Sequence, residues 1–444
     1  KILDEAEKEE VDIIGLSGLI TPSLDEMCYV AAEMKRQGFE VPLLIGGATT
    51  SKVHTAVKIA PNYQNPVIYV PDASRAVGVA SNLLSETARE AYAREIADDY
   101  THMRERHAAS RTDAVKLPIA EARANAFRID WDAYDPPKPA FLGLRTFEDY
   151  DLGELTSRID WTPFFRTWDL AGTYPAILDD KVVGETARSL FADAQAMLQR
   201  IVGEGWFHPR GVIGFWPANS DGDDIKLYED DDRTRVKAII HTLRQQMERK
   251  GGTRANHALA DFIAPEASGK ADYFGGFAVT TGPQVEDRAK EFEADNDDYS
   301  SIMVKALGDR LAEAFAERMH ERVRREFWGY DVDEELSNEE LVREKYRGIR
   351  PAPGYPACPD HTEKRILFDL LDAEKRAGIE LTSSFAMYPA AAVSGFYFAH
   401  PDAAYFGVGR IHKDQVQDYA RRKGMELREI ERWLAPNLAY DPAA

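Results

Sequence analysis

The residues most able to do chemistry lie in the run Arg350-Pro351-Ala352-Pro353-Gly354-Tyr355-Pro356-Ala357-Cys358-Pro359. Four prolines and a glycine in ten residues form neither helix nor central strand, so the segment reads as a fixed, extended loop. Its arginine suits a carboxylate or a phosphate through a bidentate fork. Gly354 and Tyr355 would offer backbone and a ring face to a ligand. A second candidate, Asp160, stands before the aromatic stretch Trp161 to Trp168, where an ionised carboxylate is costly without a partner. A cationic ligand is one such partner; a helix N-cap or a salt bridge is the structural alternative. The loop, equally, reads as a stiff connection between packed elements. His361 and His400 lack the paired spacing of a metal site and read as structural, and no general acid or base stands out. The acidic runs Asp221-Gly222-Asp223-Asp224 and Glu229 to Asp232 lack calcium-loop spacing and read as solvated faces.

The elements that must position these residues fall into two groups. In the first hundred residues, Val11 to Ser17, Val41 to Gly47 and Val67 to Val70 read as buried strands. They alternate with helices over Leu24 to Gln37, Ser51 to Ala60 and from Ala73 onward, which implies a parallel sheet with right-handed crossovers. Ligands of such sheets sit beyond the carboxyl ends of the strands. Those ends read Ser17-Gly18-Leu19-Ile20-Thr21, Gly46-Gly47-Ala48-Thr49-Thr50 and Pro71-Asp72-Ala73-Ser74, all small and polar. Three strands are few for an open doubly wound sheet, so the chain is expected to begin inside a domain. Leu83 to Arg111 reads as a charged connecting helix. Beyond residue 140, strands are expected over Gly211 to Ala218, Asp272 to Thr281, Ala392 to His400 and Tyr405 to Ile411, the last two joined by a short turn. A long helix is expected over Tyr299 to Phe327, where Ile302, Leu307, Leu311, Phe315, Met319 and Val323 recur at helical spacing. Grouped strands and helices indicate an α+β domain.

The proline-rich run, continued through Asp360-His361-Thr362-Glu363-Lys364, resembles the activation-domain signature of the cobalamin-dependent methionine synthase family. So do Asp160-Trp161-Thr162-Pro163-Phe164-Phe165 with Trp168, Pro217-Ala218-Asn219 with Gly222-Asp223-Asp224-Ile225, and Trp433-Leu434-Ala435-Pro436-Asn437-Leu438. The resemblance implies a partial, doubly wound Rossmann-like α/β cobalamin domain over 1-97 and a charged helical linker over 98-120. An α+β activation domain with a mostly antiparallel sheet and flanking helices follows over 121-444. It implies that Asp160, Arg350, Ala352, Gly354, Tyr355, Tyr405 and Phe406 contact S-adenosylmethionine. Arg350 would hold the methionyl carboxylate or support the loop. Ser17, Thr21, Gly46, Gly47 and Ala73 would line the channel for the nucleotide tail of cobalamin.

The implied reaction is reductive repair: one electron from a flavodoxin-like or other flavoprotein donor and a methyl group from S-adenosylmethionine restore methylcobalamin from the oxidised cofactor. The implied parent enzyme methylates homocysteine from methyltetrahydrofolate. Its homocysteine module, with the zinc expected there, and its folate module are not in this sequence, nor is the Asp-x-His-x-x-Gly motif of the axial histidine. Alternatives are a non-catalytic corrinoid or S-adenosylmethionine-binding module and a reactivase of another corrinoid methyltransferase.

Composition narrows the partners. The 444 residues, 44% hydrophobic and 30% charged, describe a globular chain long enough for two or more domains. With 76 acidic against 55 basic residues and a formal charge of -21, nucleic acid and membrane surfaces are poor partners. No stretch approaches the roughly 20 apolar residues of a membrane span, and the charged N-terminus is unlike a signal peptide, so a cytoplasmic location is expected. Cys28 and Cys358 are expected as free thiols.

Overall fold

The computed structural model describes every residue except 1, 19–22, 48, 86, 113–116, 248–253 and 443–444. The chain divides into two compact units, one of Ala120–Gln245 with Ala255–Gly409, the other of Lys1–Ile119 with Gln246–Arg254 and Arg410–Ala444.

The larger unit is built on an antiparallel sheet. Strands β4 (Gly143–Phe147), β5 (Arg210–Asp221), β6 (Asp224–Tyr228), β7 (Val236–His241), β8 (Asp272–Thr280) and β11 (Ala392–Tyr397) form it in the order β11-β8-β5-β6-β7, with β4 also pairing β5. A two-stranded hairpin, β9 (Glu380–Leu381) with β10 (Met387–Tyr388), stands apart. Both faces of the central strands are covered, and period-two alternation divides their side chains between two cores. Ile213 and Phe215 of β5, with Phe277 and Val279 of β8, meet Leu307, Leu311, Phe315 and Met319 of helix Asp298–Arg322. Val212 and Trp216, with Phe274 and Ala278, meet Leu367, Phe368 and Leu371 of helix Glu363–Leu371 on the other face. The long helix forms as expected, except that Val323–Phe327 is a π-helical turn.

The expected strand over Tyr405 to Ile411 does not form, nor does the hairpin to its predecessor. The Val408 amide donates instead to the Pro356 carbonyl, and Ile411 exchanges backbone hydrogen bonds with Asn437 and Ala439. Backbone hydrogen bonds thus anchor this loop to two other segments. The expected strand Ala392 to His400 ends at Tyr397, after which Phe398 forms a single bridge with Ile349.

In the smaller unit, β1 (Ile14–Ser17), β2 (Leu43–Gly46) and β3 (Val67–Tyr69) form a parallel sheet in that order. Helix Ser23–Gln37 contributes Met27, Ala31 and Met34 to a core with Ile14, Leu43 and Ile45. The expected helix over Ser51 to Ala60 is broken up. Ser51 caps one turn, Lys52–His54, which widens into a π turn over Thr55–Ile59 and ends in a 3-10 turn, Ala60–Asn62. Pro61 lacks the amide a regular helix would need there. The helix expected from Ala73 onward runs over Ala73–Leu84, and the charged helix expected over Leu83 to Arg111 runs over Arg89–Thr112.

Candidate functional site

The Arg350 loop is pinned to the end of β11: the Phe396 amide donates to the Pro351 carbonyl, and Ile349 and Phe398 exchange backbone hydrogen bonds at 3.0 and 3.1 Å. Helix Asp298–Arg322 presents Glu317 and His320, one turn apart on one face, to this loop. The Arg350 Nη2 donates to Glu317 Oε2 at 2.7 Å, and Nη1 to both Tyr346 OH at 3.0 Å and His320 Nδ1 at 3.2 Å. The Tyr405 hydroxyl accepts from the Arg350 amide at 3.0 Å and lies 3.0 Å from the Tyr346 hydroxyl. Arg350 is thus a loop support in this structure, with Glu317 as its carboxylate partner.

Burial and the positive charges of Arg324 and Arg350 hold the His320 imidazole well below its ordinary pKa, so the ring is neutral. Below it, Arg324 forms a buried ion pair with Glu334 and lies against the Tyr346 ring. Three buried polar atoms in this neighbourhood, Glu317 Oε1, Arg324 Nη1 and Tyr397 OH, have no hydrogen-bond partner among the described residues. Glu313, one turn before Glu317, adds negative charge around Arg350 and Tyr355.

The remaining loop residues divide. Tyr355 is 63% exposed. Gly354 has φ +94°, and a Cβ there would lie 2.4 Å from Cε1 of His361, so this position needs glycine twice over. Ala352 is half-buried, and its carbonyl accepts from the Tyr355 amide. Phe406, unlike Tyr405, turns into an aromatic group with His257 and Phe262, at 5.6 and 6.3 Å between ring centroids. Asp160 is half-buried and receives the Thr162 amide at 3.0 Å, so it turns the chain into helix Thr162–Thr167. Its neighbour Arg158 pairs with Glu321, one turn along the helix from Glu317. The same helix thus braces the Asp160 and Arg350 segments.

His361 and His400 are each held by local contacts. Lys364 Nζ lies 3.3 Å from His361 Nδ1 and donates to the Phe385 carbonyl; burial pulls this lysine down to about 8 and His361 to about 4. His400 accepts the Asp402 amide and packs edge-on to Trp131 and Tyr134. The first acidic run is not a solvated face throughout: Asp223 is 2% exposed and bound by Arg123 and Arg244. Sequence reasoning missed Glu317, His320 and Tyr346. The available signal was a Glu and a His three apart on the buried stripe of the long helix.

In the smaller unit, Ser17 is exposed at the end of β1. Gly46 and Gly47 end β2; Gly47 has φ +104°, and a Cβ on it would lie 2.3 Å from the Gly18 carbonyl oxygen. Its glycine character therefore serves contact between two strand-end loops. Ala73 opens its helix behind the Asp72 cap, and Thr21 lies outside the described residues. Thr49, Ser51, His54, Cys28 and Lys58 contribute to a cavity of about 490 Å³, where buried His54 Nε2 has no hydrogen-bond partner among the described residues. Among the described residues Cys28 and Cys358 form no disulfide. Among the described residues no group of three metal-ligating side chains converges, and no helix is long and apolar enough to cross a membrane.

Residues 151–424 match the family described as vitamin B12 dependent methionine synthase, activation domain. A solved structure described as the MetH reactivation domain bound to AdoHcy is 58% identical, with a TM-score of 0.71, over 73% of this chain and 99% of its own. The chain belongs to the vitamin B12 dependent methionine synthase family and carries its activation domain.

Proposed function

We propose that the larger unit binds S-adenosylmethionine at the Arg350 loop and serves the reductive reactivation of cobalamin in methionine synthase. The observation that carries this reading is the Arg350 fork, fixed by Glu317, His320 and Tyr346 on the loop that also carries exposed Tyr355, in a chain 58% identical to a reactivation domain bound to AdoHcy. AdoHcy is what S-adenosylmethionine becomes when it loses its methyl group.

The residues fit such a ligand. Arg350 offers donors to the methionyl carboxylate, while Asp160 and Glu313 supply negative charge for the ammonium and sulfonium. Tyr355, Tyr405 and the backbone of Ala352 and Gly354 offer ring and peptide surface to the adenosine. Phe406 contributes through the aromatic group that seats the Tyr405 loop. The protein's part in the transfer is to orient the donor and exclude water; no general acid or base is needed.

Residues 1-97, which carry the parallel sheet of the smaller unit, are the Rossmann-like part of a cobalamin domain in this reading, supported by that sheet and its small polar strand ends. Ser17, Thr21, Gly46, Gly47 and Ala73 are its candidate contacts, and the unpartnered His54 Nε2 fits a ligand hydrogen-bonded along its length. Cobalamin, when bound, supplies the metal-centred nucleophile for the methyl group. The proposed division is 1-97, 98-120 and 121-444; the family match continues to residue 424, past the larger unit's limit at Gly409. A flavodoxin-like donor, the homocysteine and folate modules and a cytoplasmic location complete the proposal.

The test is to reduce added cobalamin in the presence of this chain and S-adenosylmethionine and follow methylcobalamin by its absorption spectrum. Formation that requires the chain supports the proposal. No formation by folded protein that binds S-adenosylmethionine would reduce the chain to a binding module.

A further inference from the structure

Arg350 has five N–H donors and no acceptor, and it stays protonated. A ring nitrogen 3.2 Å from it must therefore accept, which puts the lone pair of His320 on Nδ1. The ring's proton is then on Nε2, 3.3 Å from the Tyr330 hydroxyl. Both His320 and Glu317 are buried, at 0% and 7% exposure, and both belong to one rigid helix. Nη1 is used twice, on His320 and Tyr346, and Nη2 once, on Glu317. The Tyr346 ring supports the fork from one side, 5.5 Å from its central carbon. The donors left over, one on Nε and one on Nη2, sit on adjacent nitrogens, the pairing that a carboxylate takes with two parallel hydrogen bonds.

We propose that Glu317 and His320 are positioning residues: they fix the rotation of the Arg350 guanidinium so that its Nε and Nη2 edge is presented to the methionyl carboxylate of S-adenosylmethionine. The inference rests on the assignment of that ligand to the Arg350 loop. Glu317 serves as an anchor at the cost of some of Arg350's attraction for an anion, so its two roles carry opposite signs. A purely electrostatic role predicts that Glu317→Leu tightens carboxylate binding; a positioning role predicts that it weakens it.

The experiment titrates the full chain calorimetrically with S-adenosylmethionine and with its decarboxylated analogue. The wild type should prefer the carboxylate-bearing ligand at least tenfold. His320→Leu and Glu317→Leu should each weaken S-adenosylmethionine about tenfold and leave the analogue unchanged. His320→Asn, which restores an acceptor at the Nδ1 position, and Glu317→Gln, which keeps one for Nη2, should stay within about threefold of wild type. Should the leucine variants fail to fold, His320→Ala carries the comparison with His320→Asn.

Wild-type preference left intact in His320→Leu or His320→Ala, equal losses for both ligands, or tighter binding by Glu317→Leu would overturn the positioning role alone. A wild type that does not distinguish the two ligands would overturn the carboxylate assignment as well.

Discussion

The Arg350 loop and the strand-end loops of the parallel sheet are both candidate ligand sites, yet they are held by different forces. The first is fixed by charge: Arg350 on Glu317, Arg324 on Glu334, with a neutral histidine and two tyrosines between them. The second is fixed by shape, through Gly47 seated against the backbone of Gly18. A preorganised guanidinium suits a small, charged ligand whose orientation decides the reaction. Close-packed glycines suit backbone that must lie near a large ligand.

The comparison is broken most severely at the buried pair. Glu334→Ala leaves Arg324 unpaired at 0% side-chain exposure, and we expect a loss of about 4 kcal/mol in urea unfolding. Loss of under 1 kcal/mol would show that charge does not hold this region. Gly47→Ala should cost about 3 kcal/mol, combining a left-handed backbone with an overlap that only a backbone shift can relieve. Thermal unfolding of the variant checks this, and a wild-type midpoint would remove steric closeness as the organising force.

A third expectation concerns pH. The folded pKa of His361 is about 4 against an ordinary 6.5, so the folded state binds fewer protons than the unfolded state between these values. Its stability contribution is present above pH 6.5 and lost as pH falls toward 4, by roughly 3 kcal/mol. His361→Gln should therefore flatten the acid limb of a stability profile measured between pH 7 and 4.5; an unchanged limb would assign acid loss elsewhere. The smallest effect is expected from Tyr405→Phe, which removes the acceptor for the Arg350 amide. About 1 kcal/mol of stability, read from the urea midpoint, is the scale of one such hydrogen bond.

Much of this was legible in the sequence because the decisive patterns were local. Gly211 to Ala218 and Asp272 to Thr281 read as strands from unbroken apolar composition, and they are the central strands β5 and β8. The proline run read as a loop from backbone chemistry alone. Tyr405 to Ile411 misled because its aromatic and β-branched residues suit a strand, whereas its hydrogen bonds go to Pro356, Asn437 and Ala439, far away in sequence. Glu317 and His320 were hidden for a related reason. On a helix that is mostly apolar on one stripe, a buried acid and a buried histidine acquire meaning only when Arg350 arrives from another segment. Asp223 was misread for the same cause, its arginines lying at 123 and 244.

The most direct test of the central claim is calorimetric titration of S-adenosylmethionine into this chain beside Arg350→Ala and Asp160→Asn. Saturable one-site binding, weakened at least tenfold by Arg350→Ala and several-fold by Asp160→Asn, is the expected result. A folded wild-type chain that binds no S-adenosylmethionine, or variants that bind it as tightly as wild type, would contradict the assignment of the ligand to the Arg350 loop.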